Sequence, residues 1–212
     1  MTRKIKALGL ALVASLAMSA LVASAAQAEF HSTTAHTILI GNQTTTHKFT
    51  VGSGFGAITC KKAEFTGTST VTTETSQVIT PHYKECTDSF GRTAHVTVSA
   101  GTVFRFTTPV KTTEAAEVHF EGTITIEVTN GSGVVICDVH ITSQTNNNII
   151  YHNVASGVEV TTNTTNVATT TSGGSLNCGV SDGAHTGGSY TGNTLTKGTD
   201  TEGKAVTITV TP

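Results

Sequence analysis

The chain has 212 residues, of which 12% are charged and 5% aromatic, with no tryptophan. Threonine contributes 45 residues, and so much β-branched side chain with so little charge excludes both a helical bundle and a chain held open by self-repulsion. Arg3, Lys4 and Lys6 hold three of the twelve basic side chains. The rest of the chain keeps nine against fourteen acids, the wrong sign for tracking nucleic-acid phosphates.

The N-terminus reads as a secretory signal over residues 1–28. Arg3, Lys4 and Lys6 form a basic start, an apolar stretch runs from about Ala7 to Val22, and Ala26-Gln27-Ala28 places cleavage before Glu29. Both methionines, Met1 and Met18, fall within it. No cysteine stands at the cleavage site, and no second apolar run follows. The mature protein is therefore expected to be exported to the medium or loosely held at the cell surface, with no membrane span after cleavage. Residues 29–212 are expected to form one all-β domain. A weak echo of Gly52-Ser53-Gly54 and Cys60 in Gly131-Ser132-Gly133 and Cys137 suggests two-module substructure meeting near residue 130.

Cys60, Cys86, Cys137 and Cys178 form an even set in a chain marked for export, so disulfides are the default. Of the three connectivities, the sequential one, Cys60–Cys86 and Cys137–Cys178, is preferred because each bridge staples one half of the chain. No CxxC or CxxH pair suggests zinc instead. Around the first cysteine, Ile58 and Cys60 share one parity while Ala63 and Phe65 share the other. A bulge at Lys61-Lys62 reconciles them and turns both lysines outward.

Period-two alternation then dominates. Ala94, Val96 and Val98 alternate with His95, Thr97 and Ser99, and Val103-Phe104-Arg105-Phe106 follows Gly101. From Ala116 to Thr129 every even position is apolar or small and every odd one polar, which describes one long strand or two joined at Gly122. Asn130-Gly131-Ser132-Gly133 supplies the hairpin. A two-residue loop sets Ile124 opposite Cys137 and His140 opposite Glu121; a four-residue loop sets Ile126 opposite Cys137. Either way Cys137 points inward. Thr161 to Thr171 reads as an edge strand plus loop, and Gly173 to Gly192 as loop-rich. About a dozen short strands with no convincing helix beyond the leader predict a disulfide-stapled, antiparallel β-sandwich or jelly-roll-like fold.

Glu29-Phe30 after the signal, the run Thr44-Thr45-Thr46-His47, sparse cysteines and Gly188-Ser189-Tyr190-Thr191-Gly192 together give a recognisable outline. By these features the mature chain resembles a loosely defined group of secreted, β-rich actinobacterial proteins. The resemblance implies no activity, cofactor or site residue.

Chemistry is thinly signalled, and no catalytic residue or cofactor is assigned. Gly179-Val180-Ser181-Asp182-Gly183 fits the GxSxG pattern, yet no strand–turn–helix context surrounds it and Asp200 follows His185 in the wrong order. A turn is the expectation there. If a metal binds, Glu121 and His140 are the candidates, since a short hairpin loop would bring them together. Tyr83, Tyr151 and Tyr190 are the residues available for stacking on sugar. The leading expectation is an exported, non-enzymatic protein with a binding or envelope-structural role, whose partner is cell-wall or polysaccharide material. A small extracellular hydrolase and an extracellular metal-binding protein are the alternatives.

Overall fold

A computed structural model describes residues 28–52, 56–107 and 115–211; the expected leader, apart from Ala28, lies outside them. Runs of Thr, Val and Ile become strands almost throughout, as residues suited to a pleated, half-buried surface should. In chain order these are β1 (Glu29–Ser32), β2 (Thr37–Gln43), β3 (His47–Thr50), β4 (Ile58–Ser69), β5 (Thr73–Glu74), β6 (Ser76–Thr87), β7 (Thr93–Val98) and β8 (Val103–Phe106). There follow β9 (Ala116–Thr129), β10 (Val135–Val154), β11 (Gly157–Ser172), the single-turn helix α1 (Ser175–Cys178), β12 (Gly183–Thr199), β13 (Ala205–Val206) and β14 (Ile208–Thr211).

The main sheet is a closed antiparallel barrel of eight positions, filled in sequence order. β2 and β3 share the first position, β4 and β6 take the next two, β7 and β8 share the fourth, and β9 to β12 complete the round. The barrel closes where β12 pairs with β2, Thr194 opposite Gln43 through Thr199 opposite Ile38, and with β3 at Ser189 to Thr191. The all-β class and the two disulfides agree with the sequence expectation, but the sandwich or jelly roll must be corrected to a barrel. Alternation fixes which side chains face inward. It does not say whether the inner face meets a second sheet or curls onto itself, because that depends on a pairing between residues about 150 apart.

Two other expectations change. Thr161 to Thr171 lies wholly within β11, which pairs with β12 along this stretch and with β10 only at Thr161, Thr162, Thr170 and Thr171, and β12 begins at Gly183 inside the stretch expected to be loop. Ladder hydrogen bonding between β11 and β12 overrides the poor strand propensity of Asn and Gly there. The β9–β10 hairpin keeps the predicted parity but not either predicted register: Val128 stands opposite Cys137 and Ile126 opposite Val139. The turn is longer, with Asn130 N–H donating to the Val134 carbonyl, and the ladder shifts between Val135 and Cys137. At Lys61-Lys62 both side chains are exposed and the inward parity of β4 changes as expected.

Strand β9 is continuous through Gly122, where its neighbour on one side changes from β7 to β8. A side chain at Gly122 would meet Thr102 Oγ1 at 2.9 Å and Ser99 Oγ at 3.0 Å in the loop between those two strands. Cys60 and Cys86 are direct cross-strand partners on β4 and β6, and their disulfide bridges that pair. The second disulfide, Cys137–Cys178, ties β10 to α1. Both belong to a core cluster with Phe49, Val51, Ile58, Ile126, Val128 and Val139 that fills one end of the barrel. A second cluster at the other end includes Ala28, Phe30, Leu39, Val118, Val158, Ile208 and Val210. There a three-stranded sheet, ordered β14-β1-β5, lays Phe30, Ile208 and Val210 across the opening.

Candidate binding site in the barrel lumen

Inward-facing residues along each strand must either fill an eight-strand barrel or leave room for a small ligand. Here they leave room. A cavity of about 190 Å³ lies between the two core clusters. Its wall takes Phe30 from β1, Phe49 from β3, Phe65 from β4, Tyr83 from β6, Phe104 and Phe106 from β8, Phe120 from β9, Tyr151 from β10 and Tyr190 from β12. Nine of the chain's eleven aromatic side chains therefore face one internal space. Leu39, Val118, Ile124, Ile141, Ile149 and Val158 are among the aliphatic residues between them. Outside, Glu117, His119, Glu121, Thr123, Thr125 and Glu127 of β9 face away from it. This polar-out, apolar-in arrangement is the reverse of barrels that cross membranes.

A buried polar chain enters the apolar wall at His47. His47, 1% exposed, has Nδ1 at 2.6 Å from the Tyr190 hydroxyl, which lies 2.8 Å from that of Tyr83. Its Nε2 is 3.3 Å from the Asn193 carbonyl oxygen and 3.3 Å from Thr194 Oγ1. Phe49 brackets the phenols, its ring centroid 4.6 Å from Tyr190 and 5.1 Å from Tyr83. Burial lowers the His47 pKa below its ordinary 6.5, with the Asn193 carbonyl pulling the other way, so the imidazole is neutral at pH 7. Burial pushes Tyr83, Tyr151 and Tyr190 above their ordinary value of 10 and keeps them protonated. The three tyrosines keep accessible area although protein encloses them, because that area faces the cavity.

The residues around His47 explain two glycines. A Cβ at Gly192 would come 2.5 Å from His47 Nδ1 and 2.7 Å from its Cγ and Cε1. At Gly188 it would come 2.7 Å from the Val167 carbonyl oxygen and 2.9 Å from that of Thr50. Gly188, Tyr190 and Gly192 thus alternate along β12 on its crowded inward side.

The wall is interrupted between β10 and β11. Between the pairs His140–Thr170 and Ile149–Thr162 the β10–β11 ladder breaks, and side chains bridge it. Gln144 Oε1 accepts from Ala168 N–H at 2.9 Å while its Nε2 donates to the Ala168 carbonyl at 3.1 Å. Asn147 Oδ1 accepts from Thr165 N–H at 3.2 Å. Asn146, Thr164 and Val167, which line the cavity, stand on the same stretch.

The sequence candidates lie elsewhere. His140 is opposite Thr125 and holds Asp138 Oδ2 at 3.0 Å, whereas Glu121 sits four residues farther along β9 and holds Arg105 Nε at 3.4 Å. The longer hairpin turn separates them. No group of three His, Cys, Asp or Glu side chains stands together as a metal site among the described residues. Ser181 lies in the turn after α1, where its carbonyl, not its hydroxyl, accepts from His185 Nε2 at 2.7 Å. The tyrosines offered for sugar stacking line the lumen rather than an outer platform.

Sequence reasoning missed the lumen itself. The available signal was the pair of motifs Thr44-Thr45-Thr46-His47 and Gly188-Ser189-Tyr190-Thr191-Gly192. In the fold, His47 and Tyr190 from those two motifs meet. Fold and site together define a closed, up-and-down antiparallel barrel with an aromatic internal cavity. Comparisons with known protein families, with curated proteins and with solved structures find no match for the chain.

Proposed function

We propose that the protein is an exported, non-enzymatic binding protein that holds a small apolar molecule inside its barrel. The observation that carries this reading is the concentration of nine of eleven aromatic side chains on one cavity. Side chains around an apolar cavity of this size forgo packing contacts that a bound molecule would supply, which suits a binding role better than a structural one. The size fits a ligand of one ring with a short substituent, since apolar cavities of ~150 Å³ take up benzene. The interruption between β10 and β11 is the proposed route of entry. Export is supported by the leader and by two disulfides, which persist in oxidising compartments.

Enzymatic readings gain no support from the cavity chemistry. A nucleophile or base poised for work needs a pKa moved toward the working pH. Burial moves both relay phenols away from it.

The test is thermal melting of oxidised Glu29–Pro212 with increasing ethylbenzene, beside Val160→Phe, which fills the lumen. Binding at 100 times Kd should stabilise the native protein by about 2.7 kcal/mol, and the variant should show little shift. Equal shifts in both proteins, or none in the unmodified one, would sink the proposal.

A further inference from the structure

We infer that the lumen selects an uncharged molecule carrying a hydrogen-bond donor, an alcohol, phenol or N–H group, and discriminates against the carboxylate of the same skeleton. This rests on the lumen-binding reading above and specifies the class of ligand.

The direction of the buried relay carries the inference. The Asn193 carbonyl can only accept, so its contact with His47 places the imidazole proton on Nε2. Nδ1 is then an acceptor and takes the Tyr190 proton across 2.6 Å. The Tyr190 oxygen is left to accept, and takes the Tyr83 proton across 2.8 Å. Every proton in the relay is thereby committed inward. What the relay offers the cavity at its outer end is lone-pair density on the Tyr83 oxygen.

A second observation agrees with the first. Gln77, also on β6 and also lining the cavity, donates its Nε2 proton to Glu74 Oε2 at 2.8 Å. A carboxylate fixes that amide orientation, and Gln77 Oε1 is left buried with no donor. The unmet polar atom on Gln77 is thus an acceptor, buried beside the lumen. The cavity lining contains no Lys, Arg, Asp or Glu, and its single imidazole is neutral. An anionic head group would thus meet acceptors in an apolar space with no compensating cation. Thr162, Thr196 and Asn146 can give or accept and do not discriminate.

Four probes of nearly one shape test this by calorimetry at pH 7.5: 4-ethylphenol, 4-ethylanisole, ethylbenzene and 4-ethylbenzoate. One satisfied hydrogen bond of ordinary net strength predicts that 4-ethylphenol binds about tenfold more tightly than 4-ethylanisole, with 4-ethylbenzoate weakest. In Tyr190→Phe the Tyr83 proton is released. It can then be donated to the ether, so 4-ethylanisole should gain affinity and the ratio should collapse while ethylbenzene is unchanged. A general loosening of the fold would weaken all probes together instead. Equal binding of phenol and anisole to the unmodified protein, or tightest binding of the benzoate, would overturn donor selection while ethylbenzene binding upheld the lumen reading. Failure of all four to bind would overturn both.

Discussion

Replacing Gly192 by alanine probes the centre of the site with one methyl group. The added Cβ would stand 2.5–2.7 Å from three atoms of the His47 ring. Carbon contacts are comfortable near 3.5–4.0 Å, so the ring must retreat by about 1 Å. It has little freedom to do so, because both nitrogens are engaged and Phe65 and Tyr190 have ring centroids within 5.6 Å. Overpacking of a tight interior, together with loss of the Tyr190–His47 bond, predicts a destabilisation of about 2–4 kcal/mol. For a domain of this length that lowers Tm by roughly 5–15 °C. Gly131→Ala is the control, since a Cβ there meets nothing within 4 Å. The decisive arm is the double variant His47→Ala, Gly192→Ala. With the ring gone, the second methyl should cost almost nothing, which gives a coupling of about 2 kcal/mol or more. Urea denaturation of the unmodified protein, the single variants Gly192→Ala, His47→Ala and Gly131→Ala, and the double variant measures it. A Gly192→Ala loss no larger than the Gly131→Ala loss, or additive effects in the double variant, would refute the packing argument and with it the fixed placement of His47.

The buried neutral His47 predicts a pH dependence. Its folded pKa is lowered, so between that value and the unfolded 6.5 only the unfolded chain takes a proton. Its contribution to stability is therefore complete above pH 6.5 and declines as pH falls through the window beneath it; denaturation of His47→Leu at pH 7.5 and 5 should lack this part of the decline. The disulfides close segments of 26 and 41 residues. Chain-entropy arithmetic assigns them about 3.5 and 4 kcal/mol, so replacing either pair by alanines should shift the urea midpoint strongly, and a loss below about 1 kcal/mol would contradict that account. Gln144→Ala removes two bonds that bridge the β10–β11 interruption and should cost about 1–2 kcal/mol. If that interruption is the entry route, stopped-flow measurement should show faster release of bound ethylbenzene, and an unchanged rate would move the route elsewhere.

Local structure was legible in the sequence to the extent that it rests on parity. The inward set of β9, from Ala116 to Val128, and the turn of β4 at Lys61-Lys62 follow from side-chain alternation alone. Register was not, because the five-residue turn and the extra residue between Val135 and Cys137 together keep parity intact while moving every partner. Closure was not, because Ser189–Thr50 and Leu195–Asn42 join the last long strand to the first through backbone groups that every residue carries. The cavity was hidden for a related reason. Its aromatics come one or two at a time from eight strands between β1 and β12, at spacings set by the barrel rather than by any motif. His47 and Tyr190 stood in quotable motifs, but 143 residues of sequence separate two groups that share a hydrogen bond.

Nuclear Overhauser contacts between bound ethylbenzene and methyl-labelled Glu29–Pro212 test the central claim most directly. Lumen binding predicts saturable contacts, one ligand per chain, to Ile124, Ile141 and Val158, which line the cavity. Contacts confined to the exposed Val134 and Leu176 would place the apolar site on the outer surface and contradict the account.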